Sequence, residues 1–305
     1  MTREEWLAER RHSIGGSDAA AIVNMSDWAT PYTVWADKTG RLPEKDDTEA
    51  MRQGRDLEAY VAARFCEATG KKVRVHGEII RSKKYPFAHG TIDRKVVGER
   101  AGLECKTTSA LNMKKFKDGD FPANYYAQCV HYLAVTGWDR WYLAVCVLGR
   151  EFLIFTIERN EDEIHALMEA EETFWTKYVE TDSPPPVDGL DPTGDALRTI
   201  YADAREGSVD LFDREKLLRA YLDAEKYIKE LQKDNEERRQ MIMEDLGEND
   251  RGSCEGFTVT WKKQTRQSFD LKAFRSDHED LDLTPYMKVS EFRVFKVKEN
   301  KDDNQ

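Results

Sequence analysis

HGTIDRKVVGERAGLECKT, residues 89–107, sets one acid on each side of a turn-forming GERAG and a lysine two positions past the second acid. If residues 90–97 and 102–107 are strands joined by that turn, pairing them brings Asp93 across from Glu104. A strand alternates its faces, so Glu104 and Lys106 share one face and Cys105 takes the other. Two carboxylates held together are unfavourable unless a cation neutralises them. Magnesium suits such a pair, because it takes hard carboxylate oxygens, keeps several waters and accepts phosphate oxygens from a substrate. The chemistry that follows is phosphodiester hydrolysis, in which a metal lowers the pKa of bound water and offsets charge building on phosphorus. Lys106 would orient or deprotonate the attacking water. By itself the spacing also describes an exposed hairpin with a salt bridge.

The surrounding chain reads as mixed α/β. Expected elements are an N-terminal helix, a helix over Glu49–Thr69, strands over Val73–Arg81, Gly90–Val97 and Gly102–Thr107, and a helix over Asn124–Thr136. Strands at Trp141–Val147 and Phe152–Glu158 and a helical stretch at Glu161–Val179 follow. In the first helix Glu58 is a further acid that could reach the ion, or an ordinary surface residue. On the helix after the hairpin, Gln128, His131, Tyr132 and Val135 fall at i, i+3, i+4 and i+7, so an amide, an imidazole and a phenol share a face. That face could meet the site, while a satisfied core histidine and simple tyrosine packing are the alternative.

SPPPVDGLDPTGD, from residue 183, carries four prolines and two glycines and marks a boundary. The expected domains are 1–182, a linker at 183–212, and an extension at 213–305. In the extension Leu217, Tyr221, Ala224, Ile228 and Leu231 alternate spacings of four and three, one seam of a long helix from Arg214 to Leu246. FTVTWKK and FRVFKVK alternate as strands and would close the chain with a small β element.

Composition narrows the class. Mean hydropathy of -0.73 and the lack of any long apolar run argue against membrane insertion, and MTREEWLAERR lacks the apolar core of a secretory signal. A cytoplasmic protein is expected. The five cysteines are scattered with no CxxC, which disfavours a zinc ribbon, an iron–sulfur cluster or a disulfide framework. Net charge is -11, but residues 1–120 hold 22 basic against 19 acidic groups, and the remainder 25 against 39. A polyanion would be drawn to the first part, through Arg10-Arg11, Lys83-Lys84 and Lys114-Lys115-Phe116-Lys117.

Taken in order, Glu58, Asp93, Glu104-Cys105-Lys106, and Gln128 with Tyr132 resemble the PD-(D/E)XK nuclease pattern, whose fold is a restriction-endonuclease-like mixed sheet flanked by helices. EWLAERRHSIGGSDAAAI resembles the opening of the YqaJ-like viral recombinase nucleases, the group that includes lambda exonuclease, and YAQCVHYLAVTG resembles their glutamine helix. The likeness runs from about Trp6 to Val179. It implies a magnesium-dependent exonuclease, with manganese as a substitute, that digests one strand of duplex DNA from the 5′ end. The 3′ single-stranded tails would pass to an annealing protein, and such enzymes commonly form ring trimers. Position by position, Asp93 and Glu104 match metal ligands, the Cys105 carbonyl adds an oxygen, Lys106 matches the catalytic lysine, and Glu58 and Gln128 support metal and water. Arg10 and Ser17 match a pocket for a terminal 5′-phosphate.

Residues support that pocket in part. Gly15 and Gly16 would permit a tight turn and Ser17 would cap the next helix, although Asp18 beside it would repel a phosphate unless it points away. The residue before Asp93 is Ile92 rather than the motif's proline. The extension has no counterpart in the compact lambda-type nuclease, so the ring cannot be assumed. A structure-specific or restriction-like endonuclease shares the same metal core. A catalytically silent DNA-binding recombination adaptor is the reading of another class, and the intact Asp93, Glu104 and Lys106 argue against it.

Overall fold

The computed structural model describes residues 10–44, 46–203 and 205–299. The expected N-terminal helix falls on residues 1–9, outside the described residues, apart from helical Arg10 and Arg11. The chain divides into two units, Met1–Ala202 and Asp203–Gln305.

The first unit opens with helices α1 (Gly16–Ile22), α2 (Pro31–Lys38) and α3 (Glu49–Thr69). Thr48 caps α3 by accepting from the Met51 N–H, and Gly70 ends it at φ 70°, a left-handed conformation glycine adopts without penalty. The strands are β1 (Val73–Val75), β2 (Ile80–Arg81), β3 (His89–Gly90), β4 (Arg94–Val96) and β5 (Ala101–Thr108). A 3-10 segment at Ala110–Gly119 leads to α4 (Ala123–Thr136), β6 (Arg140–Val147), β7 (Phe152–Glu158) and α5 (Glu161–Phe174). The central sheet has the order β1-β4-β5-β6-β7. Its pairs are antiparallel except β5 and β6, which run parallel and are joined through α4. This is a mixed α/β sheet flanked by helices.

Period-two alternation sorts the sheet into two cores. Leu103, Tyr142 and Ala144 pack with Val61, Ala62 and Phe65 of α3 on one side. Trp141, Leu143, Val145 and Val147 face the larger cluster, with α1, α2, α4 and α5. Phe65 is fully buried, a transfer worth about 1.5–3 kcal/mol. On the face of β5 opposite Leu103 stand Gly102, Glu104 and Lys106. Gly102 is required because a Cβ there would lie 2.3 Å from the Trp141 ring.

Two expected strands divide. Val73–Arg81 becomes β1, on the edge of the main sheet, and β2, which pairs with β3 in a separate two-stranded sheet. The polar His76-Gly77-Glu78 between them has no alternation to sustain a strand. Gly90–Val97 becomes β3 and β4, because side chains take the intervening backbone: the Tyr132 hydroxyl donates to the Thr91 carbonyl at 2.9 Å. Asp93 Oδ2 accepts from the Cys105 N–H at 2.7 Å, where a ladder bond would have run. The helix expected to reach Val179 is α-helical to Phe174 and continues as one π-helical turn, Trp175–Val179.

The proline-rich stretch does not end the first unit. Beyond it α6 (Asp191–Ile200) returns to α2, with Thr193 Oγ1 2.7 Å from Thr30 Oγ1 and Ala196 buried, so residues 191–200 of the expected linker belong to the core. Thr193 and Ala196 are buried on α6, and Leu197 and Ile200 pack partly buried against the same core.

The second unit comprises α7 (Glu215–Leu246), a hairpin of β8 (Arg251–Cys254) and β9 (Phe257–Thr260), and α8 (Leu271–Asp277). FTVT forms a strand as expected, whereas FRVFKVK forms none. The helical seam is largely exposed: Leu217, Tyr221, Ile228 and Leu231 are between 41% and 61% exposed, and Tyr221 meets the Phe295 ring edge-on at 5.7 Å. Among the described residues no helix is long and apolar enough to cross a membrane.

Candidate active site

The register of β4 and β5 pairs Arg94 with Leu103, so the next step along the ladder sets Asp93 against Glu104. Glu104 is 3% exposed. Its Oε1 accepts from Lys106 Nζ at 2.6 Å and from Gln128 Nε2 at 2.8 Å, and Lys106 Nζ also donates to Gln128 Oε1 at 3.0 Å. Gln128 Nε2 donates to the Tyr132 hydroxyl at 3.0 Å, which in turn donates to the Thr91 carbonyl. Strand β5, helix α4 and the 91–93 segment are thereby tied around one point. Glu104, Lys106, Gln128 and Tyr132 thus form one network, and Asp93 stands beside it.

Electrostatics mark that point as short of positive charge. Burial and then the neighbouring Glu104 push the Asp93 carboxyl well above its ordinary range, against the Cys105 N–H that favours its anion. Burial opposes charge on Lys106, yet Glu104 and Asp93 hold the ammonium above its usual range. Its Nζ also stands 5.2 Å from the Tyr125 ring centroid. Glu104 Oε2 is buried with no hydrogen-bond partner among the described residues. A buried carboxylate oxygen left so is costly unless something positive meets it.

These observations fit a hard divalent ion. The oxygens that could meet one are those of the Asp93 and Glu104 carboxylates. Among the described residues no three His, Cys, Asp or Glu side chains gather as a metal cage. Glu58 pairs with Arg94, whose guanidinium also donates to the Asp93 carbonyl at 2.7 Å. The Glu58 charge also adds to the rise of the Asp93 carboxyl, so Glu58 reaches Asp93 both through Arg94 and directly. Arg94 was not expected, although alternation from Asp93 places it on the α3 side.

His131 takes the core-histidine alternative: it is fully buried, with Nδ1 2.8 Å from Glu171 Oε1 and Nε2 2.8 Å from the His89 carbonyl. Burial resists charge on both partners, and the Glu171 carboxyl is raised for that reason. A side chain one position from Tyr132 turns about 100° around the helix, so the His131 nitrogens reach other partners while its ring meets Tyr132 edge-on at 5.9 Å.

Arg10 and Ser17 do come together, Nη2 to Oγ at 3.4 Å. They line, with Asp18, Trp28, Lys106 and Gln128, one cavity of about 640 Å³. Ser17 is not the helix cap: Gly15 is, and its N–H donates to Asp18 Oδ2 at 2.9 Å. The glycines answer to close approach rather than to a turn. A Cβ on Gly16 would lie 2.6 Å from the Tyr132 ring, and one on Gly15 would lie 3.1 Å from His89. Asp18 meets Lys38 Nζ at 2.6 Å. Burial acts to raise its carboxyl, but Lys38 and Arg10 lower it to about 2. Sequence reading missed Lys38, because nothing in PYTVWADKTG announces a lysine turned inward.

The matching family model is the YqaJ-like viral recombinase domain, over residues 5–139. The chain is 36% identical to the uncharacterized protein YqaJ of Bacillus subtilis (strain 168), over 98% of this chain and 95% of that protein. The chain belongs to the YqaJ family. Its fold is similar to that of LHK-Exo in a complex with dAMP, with TM-score 0.50 and 19% identity over 59% of this chain and 93% of that one. The alkaline exonuclease LHK-Exo from Laribacter hongkongensis matches at TM-score 0.49 and 19% identity, over the same shares. The fold of this YqaJ-family chain is the mixed α/β sheet flanked by helices that it shares with LHK-Exo.

Proposed function

We propose that this protein is a magnesium-dependent deoxyribonuclease that degrades one strand of linear duplex DNA from its 5′ end, leaving 3′ single-stranded tails for an annealing protein. The observation that carries the reading is the buried Glu104, bound to Lys106 and Gln128 and presenting an unpartnered oxygen beside Asp93. Family membership supports a nuclease role, and LHK-Exo, which shares the fold, has been crystallised in complex with a nucleotide, dAMP.

Asp93, Glu104 and the Cys105 carbonyl would hold the magnesium, which supplies an acidified water and charge relief at phosphorus. The chain's own residues do the rest. Lys106, a cation because Glu104 stabilises it, orients the attacking water and the scissile phosphate instead of removing a proton. Gln128 fixes the Lys106 ammonium and the Glu104 carboxylate, and Tyr132 fixes Gln128. Arg10 and Ser17 hold the terminal phosphate by charge-assisted hydrogen bonds, in the same cavity that Lys106 lines. End binding there presents the next linkage to the carboxylates.

The test is release of acid-soluble nucleotide from linear and from closed circular duplex, each with magnesium and with a chelator. Digestion of linear DNA alone, lost on chelation, is expected. Cutting of the circle would replace the exonuclease by an endonuclease, and inertness toward both would leave a DNA-binding adaptor.

A further inference from the structure

We propose that Lys38 is a specificity-determining residue of the terminal-phosphate pocket, cancelling the Asp18 carboxylate on the pocket wall and fastening the backbone of Arg10. This rests on the 5′-end reading given above. The side chain of Lys38 is 0% exposed. Lysine is almost never fully buried unless paired, and here Nζ stands 2.6 Å from Asp18 Oδ2 and donates to the Arg10 carbonyl at 2.8 Å.

Asp18 is placed badly for a phosphate-binding cavity. It lines the cavity beside Arg10 and Ser17, and its first-turn position is fixed because Oδ2 accepts from the Gly15 N–H. A carboxylate in that place would repel an incoming dianion. The charged and titratable groups bearing on it are Lys38 from α2, Arg10 from the segment before α1, and the buried His131 and Glu171. His89 of β3 also feels it, but burial and Lys38 depress that imidazole to about 3, so it brings no charge. Among the described residues Lys38 and Arg10 are the cations that lower the Asp18 carboxyl, with Lys38 the larger. Lys38 answers Asp18 from inside the core. Without Lys38 the carboxylate would both oppose the phosphate and draw on Arg10, while the Arg10 carbonyl would lose its donor.

The experiment compares digestion of 5′-phosphorylated and 5′-hydroxyl linear duplex by the full chain, as a ratio of kcat/KM, at alkaline pH where an unpaired carboxylate is ionised. Lys38→Met is expected to lower the ratio at least about tenfold, the scale of a like-charge clash at a binding site. Asp18→Asn should keep or raise it, and the double variant Lys38→Met/Asp18→Asn should regain most of what Lys38→Met loses. A folded Lys38→Met protein with the wild-type ratio, or a double variant as defective as the single one, overturns the inference. So does an equal fall in both rates, which would make Lys38 a residue of the fold alone. If Lys38→Met does not fold, Asp18→Asn decides, and a fall in its ratio overturns the inference. A wild-type ratio of one removes the 5′-end reading itself and this inference with it.

Discussion

Substituting Gly16 by alanine sets two general rules against each other. In an exposed helix the change should stabilise by up to about 1 kcal/mol, because glycine gives up more backbone entropy than alanine. Here the added Cβ would lie 2.6 Å from Tyr132 Cε1, 2.7 Å from Cζ and 3.0 Å from the hydroxyl oxygen. Carbon atoms sit best about 3.5–4.0 Å apart, so the ring must withdraw by roughly 1 Å in a core that has closed around it. Overpacking of that kind costs about 1–3 kcal/mol. Moving the ring also weakens the hydroxyl's bonds to the Thr91 carbonyl and from Gln128, at about 1 kcal/mol each. The clash wins, and the net loss is about 2–4 kcal/mol after the helix gain is subtracted. For a unit of this size that is a fall in Tm of roughly 4–16 °C. Gln128 would lose its fixed partner, so cleavage should fall further than stability explains at a temperature where the variant is folded. Tyr132→Leu in the Gly16→Ala background should recover stability by vacating the space, but not activity. Thermal unfolding and linear-duplex digestion of the wild type and the two variants are the assays. A Gly16→Ala protein that melts at or above the wild-type temperature would refute the close approach of Tyr132.

Asp93→Ala, Glu104→Ala and Lys106→Ala should each abolish cleavage in a folded protein; calorimetric magnesium titration should show binding lost with either acid and largely kept without the lysine, and near-normal turnover in any of the three would remove the assigned site. Folding raises the Asp93 pKa, so its contribution to stability is complete below the unfolded carboxylate value of about 3.9 and is lost as pH rises through the folded value. Asp93→Asn escapes that loss, and in chelator it should be the more stable protein at neutral pH by about 1 kcal/mol, with the advantage gone at pH 3 in denaturant titrations. Residues from 203 onward, with their largely exposed α7 seam, are expected to mediate self-association or to hold the annealing protein. Truncation after Ala202 should spare nuclease activity, and an unaltered solution mass together with retained partner binding would exclude that role.

Much of the site was legible because it depends on local periodicity. Strand alternation alone places Glu104 and Lys106 on one face, and a hairpin centred on GERAG brings Asp93 to the same level, as the pairing of Arg94 with Leu103 bears out. Helical spacing likewise joins Gln128 to Tyr132, four residues apart and hydrogen-bonded. What escaped is decided by partners far away in the chain. Glu58 turns to Arg94, His131 to Glu171, and Asp18 to Lys38. In each case a charged or polar side chain leaves water only where another element supplies its counterpart, and no spacing within one segment says which element that is. The same holds for α6, whose inner side has meaning only against Thr30 and the core it joins, and for FRVFKVK, which alternates as a strand does but pairs with none among the described residues. Sequence period determines which face a residue takes. Only the folded chain decides what that face meets, because the free energy of burial belongs to the pair and not to either member.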